Sequence, residues 1–420
     1  MTRRTERFLT SGHLPTLAAA LLYFDVSFMA WVLFGPLAPF LRDEFGLTGT
    51  QQGLLIAIPL LGGSLFRPLL GIIGDRLGGR RAGLIGLTLT LVPLMIGWKF
   101  AHALSHFYAL GFLLGIAGAS FAVALPLAGR WYPPEYQGLA MGITGAGNSG
   151  TLLATLFAPR LAERFGWANA FGFAMLPLGA VIVAFALMAK DSPRRVAPPT
   201  MREYGEVLKE SDTLWLAALY SLTFGGFVGF SSFLTTFFHE QYQLSRVTAG
   251  DFTTVAVIAG SLLRPVGGWL SDRFGGYRLL VVLLAGFAIC AGMMATMPSV
   301  LVALAIIFVG MGLLGMGNGA VFQLAPQRFP DQMGLVTGVV GAAGGLGGFF
   351  LPTLLGASKD ATGEYAPALI LVSGVFVLGT IALLELGIRW SRRWQPCAVR
   401  QAGIFVYRPS PRAALDEGAA

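Results

Sequence analysis

Long apolar runs separated by short polar turns dominate the chain. The runs lie at about 15–39, 52–74, 83–104, 106–129, 138–158, 167–189, 213–238, 250–271, 277–297, 300–322, 334–357 and 366–390. A helix needs about 20 residues, rising about 1.5 Å each, to cross roughly 30 Å of hydrocarbon. Inside lipid the backbone must satisfy its own hydrogen bonds, so runs of this length predict helices. The pattern predicts an all-α integral membrane protein with twelve transmembrane helices. A polar stretch at 190–212, holding Lys190, Arg194, Arg195, Pro198 and Pro199, divides them six and six. The expected organisation is a six-helix bundle at 1–189, a cytoplasmic linker at 190–212, a second bundle at 213–390 and a cytoplasmic tail at 391–420.

The two halves repeat each other. Residues 64–79 read SLFRPLLGIIGDRLGG and residues 261–276 read SLLRPVGGWLSDRFGG, a constant offset of 197. The offset pairs Arg67 with Arg264, Asp75 with Asp272 and Arg76 with Arg273. Spans five and eleven repeat as well, as GITGAGNSG (142–150) and GVVGAAGGLGG (338–348). Six spans followed by six in the same orientation is a parallel duplication, which predicts two pseudo-symmetric bundles. Transporters built this way bind substrate near the bilayer midplane, between the halves.

Composition narrows the class further. Of 420 residues 55% are hydrophobic and only 12% charged, against about 25% charged in soluble domains. A soluble enzyme, a disordered chain and a disulfide scaffold are excluded. The 57 glycines follow no collagen period. The net charge of +8 comes from 29 basic and 21 acidic residues. Twenty-one of the basic residues fall in alternate loops and tails, against five on the other side (Arg42, Arg160, Arg164, Arg246, Lys359). The positive-inside rule then places both termini in the cytoplasm of a cell (inner) membrane protein. Orientation accounts for the basic excess, so no nucleic-acid partner is expected. Met1–His13 leads straight into a span too long for a signal-peptide core, and no cleavable signal is expected. Cys290 and Cys397 predict neither a disulfide nor a metal site. The four histidines (His13, His102, His106, His239) lie near span ends, outside metal-ligand spacing. No nucleophile motif or phosphate loop is present, and neither an enzyme nor a cofactor is expected.

The charges inside the spans carry the functional signal. Arg67 lies eight residues above Asp75, and Arg264 eight above Asp272, which puts each about 12 Å up its helix. A mid-bilayer arginine costs about 2.5–3.5 kcal/mol on insertion scales, so two at equivalent points should face a central cavity. Two structural arginines paired with acids are the alternative. The spans supply Asp25, and Glu385 near the inner end of span twelve. One deep acid leaves the cavity net positive, which suits an anion. Guanidinium presents paired N–H donors in a plane, which match flat oxyanions such as nitrate, nitrite or a carboxylate. Phe121, Tyr220, Phe224 and Phe227 give the spans aromatic walls, although each ring taken singly also fits ordinary packing. The glycines of spans five and eleven permit close helix contact. They also bring backbone against a cavity. Asn148 is the one strong polar group in the span-five glycine run, and its amide can donate to an anion.

The pattern G-x-x-x-D-R-x-G at the inner ends of spans two and eight resembles the loop motif of the major facilitator superfamily. Asp75, Arg76, Asp272 and Arg273 would form a cytoplasmic latch there, or merely a solvated turn. GITGAGNSG and GVVGAAGGLGGFFLP resemble the two signature segments of the nitrate/nitrite porter family within that superfamily. SLFRP, SLLRPVGGWLSDRFGG, LYSLTFGGFVGFS and GMGNGAVFQLAPQRF are similar to that family too. The resemblance covers about residues 15–390. It implies that Arg67 and Arg264 clamp the anion. Phe121, Tyr220 and Phe224 would shape and sandwich it, and Asn148 would hydrogen-bond it. Gly142, Gly145, Gly147, Gly150, Gly338, Gly341, Gly344, Gly345, Gly347 and Gly348 would line the site and the moving contacts. It further implies a rocker-switch transporter of nitrate and nitrite, expected as a monomer in the lipid bilayer. Transport would run by nitrate/nitrite exchange or by proton symport, with Asp25 as the possible proton carrier. A transporter of another small organic anion or drug is the alternative.

Overall fold

A computed structural model describes residues 8–193, 200–329 and 333–405. Arg194, Arg195, Pro198 and Pro199 of the expected linker, and the tail beyond Phe405, lie outside the described residues. Among the described residues all regular structure is helical. Eleven helical runs are long and apolar enough to cross a membrane. Spans one to four are Leu14–Phe45, Gly49–Leu77, Gly79–Lys99 and Leu104–Gly129; span six is Trp167–Met188. Spans seven to twelve are Ser211–Tyr242, Arg246–Phe274, Gly276–Met294, Val300–Arg328, Leu335–Thr362 and Ala366–Arg393. Span five completes the twelve. It comprises an α-helix Pro134–Gly145, a 3₁₀ turn Ala146–Ser149 and an α-helix Gly150–Phe165. Its glycines, Asn148 and Ser149 make it less apolar than the others.

Glycine explains why spans two and eight stop at the same repeat position. Gly78 and Gly275 have φ of 91° and 90°, a region that L side chains with a Cβ rarely adopt. Leu176, Leu187, Leu301 and Leu378 are strongly exposed, the surface expected where lipid replaces water around a bundle. The polar stretch between the halves carries a short helix, Met201–Lys209, opened by a Thr200–Glu203 capping box. At its end Asp212, buried at the start of span seven, accepts from Arg328 Nε at 2.5 Å, Trp390 Nε1 at 2.8 Å and Trp394 Nε1 at 3.1 Å. One carboxylate thereby ties spans seven, ten and twelve together. Beyond span twelve a further helix, Pro396–Ala402, folds back so that Gly403 meets Gly275 backbone to backbone.

The halves meet unevenly. At the face away from the loop motifs, several contacts among the described residues cross between them. Arg42 pairs with Glu240, and Arg246 with Asp43. Arg160 pairs with Asp251 at 2.7 Å. Asp360 accepts the Gly49 and Thr50 N–H groups, each at 2.7 Å, and so caps the start of span two from span eleven. Thr155 and Thr254 hydroxyls meet at 2.7 Å. At the motif-bearing basic face, the ion pairs among the described residues stay within one half: Asp75 with Arg130, and Arg328 with Asp212 and Glu210. Gly142 and Gly338 lie on that side, one turn before Gly145 and Gly341 on the same helix faces. A side chain added at either would meet open space. The molecule is thus sealed at one face and open towards the other.

In a chain whose Cys290 and Cys397 are replaced by serine, Gly142→Cys and Gly338→Cys should therefore react rapidly with a membrane-impermeant thiol reagent. The reagent should work from the basic face only. Equal labelling from both faces would show that the seal is absent.

Candidate functional site

Three departures from regular α-helix converge on one level of the bundle. Span one is interrupted between Trp31 and Phe34, span five by its 3₁₀ turn, and span seven by a π-turn, Ser221–Gly225. Such turns re-aim side chains and recur at functional sites. The π-turn lies directly after Tyr220, and it brings Tyr220 and Phe224 into a near-parallel stack, centroids 5.1 Å apart and planes 8° apart. The spacing of small residues permits it: Gly225 lies against the backbone of Gly347 and Gly348 in span eleven.

Arg67 and Arg264 are both brought to this level and both are buried. Arg67 donates through Nε to the Gly118 carbonyl at 3.0 Å and through Nη1 to the Gly341 carbonyl of the opposite half. Its Nη2 has no partner among the described residues. The guanidinium carbon lies 5.2 Å from the Trp31 ring, 5.3 Å from Phe121 and 5.2 Å from Phe224. Arg264 donates through Nη2 to the Tyr220 hydroxyl at 3.5 Å and lies 5.9 Å from Phe121. Its Nη1 has no partner. Among the described residues, neither guanidinium forms an ion pair; the ion pairs all use other arginines. The charges are held by ring faces and carbonyl dipoles instead. What remains at the centre is a pair of positive groups with N–H donors and no acceptor.

Comparisons with known proteins identify the family. The profile of the Major Facilitator Superfamily matches residues 19–352. A probable nitrate/nitrite transporter of Mycobacterium tuberculosis, NarK2, is 36% identical over 86% of this chain and 93% of its own length. The nitrite extrusion protein of Bacillus subtilis is 33% identical, over 87% of this chain and 92% of its own length. The chain belongs to the nitrate/nitrite porter family of the major facilitator superfamily. A probable nitrate/nitrite antiporter of Thermus thermophilus, NarK1, is also similar, 32% identical over 81% of this porter and 84% of that chain. Among solved structures, the Escherichia coli xylose transporter XylE in a partially occluded inward-open conformation superposes with a TM-score of 0.74. At 16% identity, over 90% of this porter and 98% of that chain, the likeness concerns the fold alone.

The ten glycines of this porter divide by what surrounds them. Gly142 and Gly338 face open space. A Cβ at Gly145 would lie 3.6 Å from the Arg264 guanidinium carbon, and one at Gly341 would lie 3.0 Å from the Phe121 ring. At Gly344 it would come within 2.6 Å of Tyr220 and 2.9 Å of Phe224. Gly147 and Gly150 press on the backbone of Asp25, while Gly345, Gly347 and Gly348 pack on spans two and seven. The glycine run is therefore partly site wall and partly helix contact.

Other residues singled out from the sequence sit differently from expectation. Asn148 is fully buried and its side-chain amide faces its own 3₁₀ turn; hydrogen bonding assigns the nitrogen to the end 3.2 Å from the Gly145 and Ala146 carbonyls. Asp25 accepts from the Ser149 hydroxyl at 2.6 Å and so fastens span one to the span-five turn. Glu385 is exposed on span twelve. The two loop motifs are not equivalent. Asp75 accepts from Arg130 at 2.6 Å within its own half. Asp272 is exposed and forms no ion pair among the described residues; Arg328, one position past the counterpart of Arg130, is held by Asp212 instead. Arg76 and Arg273 are exposed, Arg273 lying over the Trp269 and Phe274 rings. Among the described residues, no motif contact bridges the two halves at this face.

Trp31 and Phe322 belong to the site and were missed. Trp31 stacks on Phe224 with centroids 6.5 Å apart and is anchored by its Nε1 donating to the Pro59 carbonyl at 2.6 Å. Phe322 lies 4.8 Å from Tyr220 and 6.0 Å from Phe121. A tryptophan just before a helix interruption was the available signal for the first; nothing local distinguishes the second from packing.

The crowding predicts opposite outcomes for two glycine-to-alanine changes in one span. Gly150→Ala meets the Asp25 carbonyl and should destabilise by about 1–3 kcal/mol, the usual cost of overpacking. Gly142→Ala meets nothing and should be neutral or stabilising by up to about 1 kcal/mol. Thermal unfolding of both purified variants in detergent checks this.

Proposed function

We propose that this porter carries nitrate and nitrite across the inner cell membrane by rocker-switch alternating access, working as a monomer with both termini in the cytoplasm. One observation carries the proposal: two buried guanidiniums, Arg67 and Arg264, keep unpartnered N–H donors at one level with no carboxylate beside them. A group that fits there must bring negative charge and in-plane acceptor oxygens. The walls of Trp31, Phe121, Tyr220, Phe224 and Phe322 suit a small, weakly hydrated anion better than a sugar. The printed names of the relatives, which include a nitrite extrusion protein and nitrate/nitrite transporters, support the same class.

Charge repulsion gives the anion its mechanical role. Both guanidiniums flank the Phe121 ring, so they lie no farther apart than about 11 Å. At an effective dielectric of about 20 that repulsion costs about 1.5 kcal/mol or more. Closing the open face drives the halves together around these charges, and a bound anion removes the barrier. An empty site closes poorly, which is the behaviour of an exchanger. Exchange of nitrate for nitrite also moves no net charge, whereas nitrate entry alone works against about 2.3 kcal/mol per 100 mV. Proton symport needs a titrating group, and Asp25 is already engaged by Ser149 in a helix–helix contact. The structure thus favours exchange over symport.

Counterflow in proteoliposomes, nitrate outside and nitrite inside, tests both points. Arg67→Lys and Arg264→Lys keep the charge and lose the planar fork. Each should lower exchange by about 10–100-fold, the worth of a charge-assisted hydrogen bond. Asp25→Asn should retain exchange within about twofold, since the amide oxygen still accepts from Ser149. Uptake without an internal anion, driven by a pH gradient and lost in Asp25→Asn, would sink the exchange mechanism.

A further inference from the structure

Asn318 in span ten is wholly buried, and both its side-chain oxygen and its nitrogen lack a partner. Buried amides are nearly always hydrogen-bonded, so an exception needs a cause. Its position supplies one. Phe322, one turn further along the same helix face, packs on Tyr220 and Phe121, so that face of span ten looks into the arginine level. The neighbours on either side agree. A side chain at Gly317 would meet Thr223 of span seven, and one at Gly319 would meet the Arg264 carbonyl of span eight. Asn318 therefore stands at the seam where spans seven, eight and ten meet.

We propose that Asn318 is a specificity-determining ligand of the transported anion, donating its amide N–H to the third oxygen that nitrate has and nitrite lacks. The inference rests on the nitrate/nitrite reading above and assigns a residue to it. The donor inventory supports it. Arg67 and Arg264 each keep one unpartnered nitrogen, enough to address two oxygens of a planar anion. The third oxygen of nitrate then needs a donor from another direction. Asn318 Oδ1 cannot serve the anion, but the unpartnered Thr223 hydroxyl is a donor suited to it. That pairing turns the amide nitrogen toward the anion.

The test is KM for nitrate and for nitrite, measured separately by counterflow in proteoliposomes, in wild type and Asn318→Ala. Nitrate KM should rise about tenfold or more, the range for a lost hydrogen bond to a charged group, while nitrite KM moves less than about threefold. A structural role alone would shift both together. If the alanine variant does not purify, Asn318→Ser keeps a buried polar group without the amide donor and repeats the comparison. Wild-type exchange with an unchanged nitrate-to-nitrite KM ratio in the variant would overturn this inference alone. Wild-type vesicles that exchange neither anion would overturn the nitrate/nitrite reading and this inference with it.

Discussion

Everything at the centre of this molecule follows from two positive charges placed in a low-dielectric interior without counter-ions. A guanidinium cannot shed its proton there, so the surroundings must hold the charge by other means. Arg67 is held by two carbonyl oxygens, those of Gly118 and Gly341, and by three ring faces. Glycine at those positions lets a backbone carbonyl approach closely, and the rings add negative quadrupole faces while excluding water. The result stabilises the arginine enough to fold but leaves its charge uncancelled. In the function proposed above, an anion completes it.

The duplicated arginines have diverged in what they do. Arg67 reaches across the interface to span eleven, and Ser64 does the same by donating to the Ala342 carbonyl at 2.5 Å. Their counterparts do not. Arg264 bonds within its own half to Tyr220, and the Ser261 hydroxyl has no partner. One arginine is thus fastened to the opposite half in this conformation, and the other keeps its free donor beside the span-five turn. Pseudo-symmetric sequence has yielded an asymmetric site, because spans five and eleven break the repeat between them: Asn148 and Ser149 stand opposite Gly344 and Gly345.

The seal at the far face has the strength appropriate to a reversible gate. Its ion pairs are partly solvated, with Arg160 and Asp251 exposing 41% and 39% of their side chains. Such pairs contribute about 0–1 kcal/mol each. A handful of them closes the face without locking it. The Asp360 carboxylate at the start of span two is of the same kind, joining the halves by hydrogen bonds that can reform with water. By contrast, Asp212 with Arg328, Trp390 and Trp394 is a buried junction inside one half, and breaking it would leave buried polar groups unsatisfied. Weak bonds close the far face, whereas a buried junction ties spans seven, ten and twelve within one half.

Much of this was legible in the chain. Hydrocarbon thickness and backbone hydrogen bonding dictate the length and helicity of twelve apolar runs, including the fifth, whose glycines dilute its apolar character. The insertion cost of a mid-bilayer charge singled out Arg67 and Arg264, because only a functional cavity repays it. The rings Phe121, Tyr220 and Phe224 came from resemblance and met at the arginines. Trp31, Phe322 and Asn318 did not come from the sequence, since an aromatic or amide on an apolar helix looks the same whether it faces a neighbour or a cavity. The motif aspartates show the same limit: identical repeats promise one latch, yet Asp75 has Arg130 within reach while the corresponding partner near Asp272 is taken by Asp212. Asn148 and Asp25 were correctly placed by span and depth, but their partners, a local 3₁₀ turn and Ser149, depend on how span one crosses span five. Periodicity and burial cost are properties of one helix in lipid, and the sequence determines them. Which polar group finds a partner depends on helix rotation and on irregular turns, and only packing of all twelve spans settles those.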